Sequence, residues 1–249
     1  MRFQGATVVV TGGGSGIGAA TAARFAAEGA YVAVTNRTED KADAVAAEIR
    51  RSGGQAVSYA LDVAHSHEWA ALRDALHGEG RRVDVVVNNA YALELLPAHE
   101  LSEASWTRQI DVDLSAVYHS VRAFMPDLLE TGGTLINVAS VHGLVAWKRH
   151  PAYAAAKGGV LALTRQLAVE YGPAVRVNAV IPGPILTPTW DDVSAAAIDA
   201  VAAGTALNRL GTAEECAGAI AFLASADASY ITGAQLVVDG GQTIRAEGR

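Results

Sequence analysis

The sequence predicts a three-layer α/β fold: one doubly wound parallel sheet of about seven strands, helices on both faces, in a single domain spanning residues 1–249. Three observations predict it. Short β-rich apolar runs recur along the chain, helix-like segments separate them, and a glycine-rich turn joins the first run to the first helix. Alternation of this kind implies right-handed crossovers between parallel strands, and the nearly continuous Val/Ile/Leu content of the runs implies burial on both faces.

The strands are expected at "ATVVVT" 6–11, "AYVAVT" 30–35, "QAVSYAL" 55–61, "VDVVVN" 83–88, "GTLINVA" 133–139, "VRVNAVI" 175–181 and "QLVVD" 235–239. Helices are expected over 16–28, 39–51, 66–77, 102–130 and 151–171, each between two of those runs. The rhythm breaks at 184–211, where a Pro-rich turn leads into a weakly apolar helical stretch, the pattern of a lid over a site. No linker, internal repeat or charge block divides the chain.

Composition narrows the function. The chain is 51% hydrophobic and 18% charged, with a formal charge of −7, so it lacks the basic face that a nucleic-acid backbone requires. The lone Cys216, in the helix-like "TAEECAGAIAFL", has no internal disulfide partner. The N-terminal run has no signal-peptide pattern, and no stretch is apolar enough to span a membrane, which leads to the expectation of a cytoplasmic protein. The seven histidines are scattered, and His65 with His67 lacks a third ligand nearby, so no metal site is expected.

"TGGGSGIG" 11–18 carries the first chemistry. Glycines between a strand and a helix let backbone approach a pyrophosphate, while the helix N-terminus supplies unpaired N–H donors and partial positive charge. At the end of the second strand, where an acid reads a ribose hydroxyl, stand Asn36 and Arg37 in "VTNRTED". Asparagine does not repel a 2′-phosphate and arginine pairs with one, so the reading favours NADP, although Glu39 and Asp40 dilute the local charge and NAD remains open.

"AYAAAKGG" 152–159 carries the second. Four residues along a helix return to nearly the same face, so Tyr153 and Lys157 project together. An ammonium about 5 Å from a phenol contributes roughly 3 kcal/mol at an effective dielectric of 20, or about two pKa units, which makes tyrosine a general acid/base near neutral pH. Taken alone, the spacing fits an idle surface pair better. Ser140, at the end of the strand in "LINVASVHG", adds a hydroxyl beyond the carboxyl end of a parallel strand, where open α/β sheets bind ligands.

Over essentially its full length the chain resembles the short-chain dehydrogenase/reductase family. The residues that carry the resemblance are "TGGGSGIG" 11–18, "LDV" 61–63, "NNA" 88–90, Ser140, "YAAAK" 153–157, "IPGPILTP" 181–188 and "VDGG" 238–241. It implies a Rossmann-like sheet, hydride exchange at a nicotinamide on a small-molecule alcohol or ketone, and a homo-oligomer, frequently a tetramer. By the same resemblance Ser140 steadies the substrate oxygen, Tyr153 exchanges its proton, and Lys157 lowers the tyrosine pKa while holding the nicotinamide ribose. The cofactor contacts it implies are Gly12, Ser15, Gly16, Ile17 and Gly18 in the loop, and Asp62 and Val63 at the adenine. Asn88 and Ala90 come next on the adenosine side, then Pro182, Gly183, Ile185 and Thr187, the last two at the carboxamide.

Two positions depart from the family pattern. Tyr91 comes after "NNA" where the family has glycine, and Asp113 replaces the asparagine of the proton relay. A carboxylate there either pairs with Lys157 and blunts its effect on Tyr153, or serves as a relay acceptor. Besides an alcohol dehydrogenase using NADP(H), the departures leave a cofactor-binding protein with weakened catalysis as a second reading. An NAD-dependent sugar or polyol dehydrogenase and a 3-oxoacyl-carrier-protein reductase are others, the last disfavoured by the acidic "MPDLLETGG" 125–133. Lys148 and Arg149, in the "LVAWKRH" loop between Ser140 and Tyr153, are candidates to attract an anionic substrate.

Overall fold

The computed structural model describes residues 1–245. Seven strands form one parallel sheet: β1 Thr7–Val10, β2 Tyr31–Asn36, β3 Gln55–Ala60, β4 Val85–Asn88, β5 Thr134–Val138, β6 Arg176–Pro182 and, last in the chain, β9 Gln235–Val238. Their order is β3-β2-β1-β4-β5-β6-β9, a Rossmann-like arrangement whose direction of winding reverses between β1 and β4. In register, Val8, Val9 and Val10 of β1 face Val85, Val86 and Val87 of β4.

The helices are α1 Gly16–Ala27, α2 Glu39–Arg51, α3 Ser66–Gly78, α4 Glu103–Ile110, α5 Ala116–Thr131, α6 Pro151–Tyr171, α7 Ala195–Ala203 and α8 Ala213–Ala224. They form two layers because each strand is apolar on both sides. Val9, Val86 and Leu135 point into a core with Trp69, Phe124 and Leu128, whereas Val8, Val10, Ile136 and Val180 point into a second core with Phe25 and Ile220. Each such aliphatic side chain contributes roughly 1.5–3 kcal/mol of burial, which holds the strand ends in place.

Two sequence expectations need correction. The helix expected over 102–130 is two helices, α4 and α5, joined by a π-helical turn at Asp111–Ser115. Such a turn inserts one residue into the α ladder and re-aims the side chains beyond it; here it buries Asp113. The stretch 184–211 contains the expected turn and helix, but two short strands that the sequence did not suggest enclose them. It holds β7 Ile185–Leu186, a 3₁₀ turn at Pro188–Trp190 and α7, and it returns at Gly211, where β8 Gly211–Thr212 pairs with β7. No residue of α7 is buried, so the helix lies on the body without a core of its own.

Candidate active site

The glycine loop is held by the neighbouring strand end. Thr11 Oγ1 accepts the backbone N–H groups of Asn89 and Ala90 at 2.9 and 3.1 Å, and Asn89 Nδ2 donates to Thr11 O at 2.8 Å. Gly12 and Gly16 have φ of +62° and +52°, a region that side chains disfavour, and a Cβ on Gly18 would stand 2.2 Å from Gly12 O. Ser15 caps α1 with no side-chain hydrogen bond, and the first turn of that helix carries no acid, which leaves its N–H donors for an anion. Ile17 is half-buried behind them. This open, donor-rich turn fits a dinucleotide pyrophosphate.

The rest of the cleft runs along the strand ends. Asn36 closes β2 against Gly14, its amide donating to Thr38 O at 2.9 Å, while Arg37 is exposed and makes no ion pair among the described residues. Lys41 also borders Gly14, a second cation at this corner that sequence reading passed over. Beyond β3, Asp62 accepts from Ala64 N at 3.1 Å and pairs with Arg108 at 2.9 Å. Burial opposes its ionisation, but Arg108 and the Ala64 N–H win, and its carboxyl lies below the usual value. Val63 is buried and its carbonyl accepts from Trp69 Nε1 at 2.9 Å.

Asn88 differs from expectation. Its carboxamide turns inward, donating to Ser120 Oγ and Asn137 Oδ1, both at 2.9 Å, so the side chain braces the sheet, while the Asn89 and Ala90 backbone holds Thr11 beside the glycine loop. "NNA" was the available signal, but which of two adjacent asparagines faces inward depends on strand pleat. At β6, Pro182 is buried and Gly183 N donates to Val238 O at 2.9 Å; a Cβ on Gly183 would lie 2.6 Å from that of Asp239. Ile185 is buried in β7, and Thr187 lies over the loop, its Cγ2 3.1 Å from where a Cβ on Gly16 would be.

At the sheet's centre, Ser140 lies two residues beyond β5, capping the 3₁₀ turn Val141–Gly143, and Tyr153 and Lys157 stand one turn apart on α6. Lys157 is 2% exposed, and its Nζ donates to Val138 O at 3.1 Å and lies 3.1 Å from Asp113 Oδ1 and 5.4 Å from the Tyr153 ring centroid. The other carboxylate oxygen of Asp113 accepts from Ala92 N at 3.0 Å. A cavity of about 10 Å³, the size of one water, lies between Lys157, Asp113, Asn88 and Val138.

Burial alone would discharge Lys157, but Asp113 and Tyr153 hold it protonated, above its ordinary value. Tyr153 is corrected from the sequence expectation of a phenol brought toward neutrality. Burial raises its pKa, Asp113 and Tyr91 add to the rise, and the opposing pull of Lys157 and Ser140 does not cancel them. The ammonium that should favour the phenolate already faces a carboxylate. Asp113 pairs with Lys157, the first of the two roles expected for it.

A family model described as enoyl-(acyl carrier protein) reductase matches residues 12–243. The chain belongs to the short-chain dehydrogenase/reductase family. As a member it is an NAD(P)-dependent oxidoreductase acting between CH–OH and C=O. Cis-4-hydroxycyclohexanecarboxylate dehydrogenase of Sinomonas cyclohexanicum is 42% identical over 97% of this chain and 98% of its own. D-threitol dehydrogenase of Mycolicibacterium smegmatis is 38% identical, covering 98% and 95%. Among solved structures, a putative NAD(P)-dependent gluconate 5-dehydrogenase from Beutenbergia cavernae, with NADP bound at low occupancy, superposes with a TM-score of 0.90. It is 38% identical and covers 98% of this chain and all of its own. No described helix of this dehydrogenase/reductase is long and apolar enough to cross a membrane.

Proposed function

We propose that this enzyme interconverts a secondary alcohol and its ketone with NADP(H), Tyr153 acting as general acid/base. The observation that carries the reading is the buried Lys157, fixed by Val138 O and Asp113 beneath the Tyr153 ring, with Ser140 at the adjoining strand end. In the oxidative direction the Tyr153 oxygen takes the alcohol proton while the Ser140 hydroxyl orients the substrate oxygen; in reduction Tyr153 returns the proton to the carbonyl oxygen. Lys157 supplies the positive charge that favours the phenolate. When bound, the nicotinamide supplies or accepts the hydride.

Gly12, Ser15, Gly16, Ile17 and Gly18 would hold the pyrophosphate. Asp62 and Val63 would meet the adenine, Ala90 the adenosine side and Lys157 the nicotinamide ribose; Pro182 and Gly183 would border the cofactor, with Ile185 and Thr187 at its carboxamide. Arg37 and Lys41, neither in an ion pair among the described residues, support NADP over NAD, as does the NADP in the Beutenbergia structure. The Sinomonas and Mycolicibacterium relatives are both named as dehydrogenases of an alcohol, which supports that substrate class. Segment 184–211 would act as a lid, since Thr187 already lies against the glycine loop. The family resemblance extends the reading to a homo-oligomer, and the N-terminal run without a signal-peptide pattern supports a cytoplasmic one.

Fluorescence titration with NADPH and NADH tests the cofactor assignment. NADPH should bind at least tenfold tighter, and Arg37→Ala should remove most of that preference, a loss of roughly 1.5–3 kcal/mol for a charge-assisted contact. Tighter NADH binding would point to an NAD-dependent polyol-type enzyme.

A further inference from the structure

Three loops surround Tyr153 and clasp one another. The loop after β5 places His142 edge-on to the Tyr153 ring, centroids 5.5 Å apart, with Trp147 at 4.6 Å and His150 at 4.1 Å from His142. Arg149, at φ +71°, donates from Nη2 to Leu95 O at 2.7 Å and so ties this loop to the one after β4. Tyr91, on that second loop, shares a hydrogen bond of 2.8 Å with Thr189 Oγ1 beyond β7.

The polar groups of this ring are largely committed to one another. The Arg149 guanidinium that sequence reading offered to an anionic substrate is a clasp, Thr189 is also within 3.3 Å of Thr187 Oγ1, and Lys148 and Glu94 stand exposed at the loop tips. Burial and the neighbouring His150 push His142 down to about 4, so it is neutral at pH 7, and its buried Nδ1 has no partner among the described residues. Apart from those two tips, the uncovered side chains include a run of apolar ones. Leu93, Leu95, Leu144, Trp147 and Leu186, all on these loops, are between 37% and 55% exposed.

We propose that the site takes a ring-bearing, largely apolar secondary alcohol in preference to an open-chain polyol; the proposal rests on the dehydrogenase reading above. A carbocyclic body covers the leucines and lies against the His142–Trp147 pair, removing apolar surface from water on both sides. A polyol entering the same ring buries hydroxyls whose partners are already engaged, and an enclosed hydroxyl without a partner is strongly disfavoured.

The test is a set of initial rates with the full chain, using cyclopentanol, cyclohexanol and 2-decalol against D-threitol and ribitol, each with NADP+ and NAD+. The expected result is a kcat/KM at least tenfold higher for the cyclic alcohols, rising from one ring to two. Trp147→Ala should lower kcat/KM for 2-decalol about tenfold, chiefly through KM, with NADPH binding retained as proof of folding; Leu186→Asn is the second variant and should act in the same sense. Polyols turned over as well as the cyclic alcohols would overturn the proposal and leave the dehydrogenase reading standing. Unchanged 2-decalol kinetics in both variants would also overturn it. Inertness of every alcohol and of the matching ketones would end the dehydrogenase reading, and this one with it.

Discussion

Asp113 decides how Tyr153 behaves. Its carboxylate lies 3.1 Å from Lys157 and accepts from Ala92 N, so it holds the lysine in place while cancelling part of its charge at the phenol. Alcohol oxidation needs the phenolate, so activity should rise with pH through the Tyr153 pKa, which burial and then Asp113 and Tyr91 hold above ordinary. Asp113→Asn removes the carboxylate that raises the phenol pKa and should move the rising limb of the pH–kcat/KM profile to lower pH, increasing activity at neutral pH. A limb that stays put or moves up contradicts this, and abolished activity would mean that the carboxylate itself is required. The shared face of Tyr153 and Lys157 was legible from spacing, since four residues return to one helix face, but their role was legible only together with Ser140 and the glycine loop. The sign of the phenol shift was not, because burial and a carboxylate from a distant helix outweigh a partner one turn away. Asn88 shows the same limit: its residue type was readable, its inward orientation was not.

Among the elements, the glycine loop and the π turn do opposite things to the backbone. The loop is tight because Asn89 and Thr11 clasp it and Gly18 packs on Gly12 O. Gly18→Ala would put a methyl 2.5 Å from Asn89 Nδ2 and break that clasp, so NADPH affinity should fall tenfold or more by fluorescence titration. Gly78→Ala, whose added Cβ meets nothing within 4 Å, is the control and should bind as wild type. An effect of equal size in both would mean that the loop is not the anion seat. The loop was legible because glycine has few other uses between a strand and a helix. The π turn at Asp111–Ser115 was not, because an apolar pattern over five residues cannot distinguish one inserted residue from an ordinary α turn. In the 184–211 stretch the turn and helix were legible, but β7 and β8 were not, because such short strands form only by pairing with each other.

For the molecule as a whole, alternation of apolar runs and helices foretold seven parallel strands, and all seven stand where they were expected within a few residues. Strand order is not written in any local pattern; the family resemblance implied only a Rossmann-like sheet, and the observed reversal between β1 and β4 places the cleft. The N-terminal end of the fold is held by charge. Arg2 grips Glu28 through two bonds of 2.6 and 2.7 Å and Arg24 adds a third, which together hold the Glu28 carboxyl down to about 2, against 4.5 ordinarily. A depressed carboxyl stabilises the folded state fully above about pH 4.5 and loses that contribution as pH falls toward about 2. Thermal unfolding between about pH 2 and pH 5 should therefore show a shallower loss of Tm in Glu28→Gln than in wild type; equal slopes would remove Glu28 from the acid limb.

The most direct test of the central claim is kcat/KM for oxidation of a secondary alcohol by Tyr153→Phe, with NADPH binding intact. The loss of one phenolic oxygen should lower it by about 10²–10⁴-fold, the usual contribution of a positioned acid/base. Activity within a few-fold of wild type would contradict the assignment of proton transfer to Tyr153.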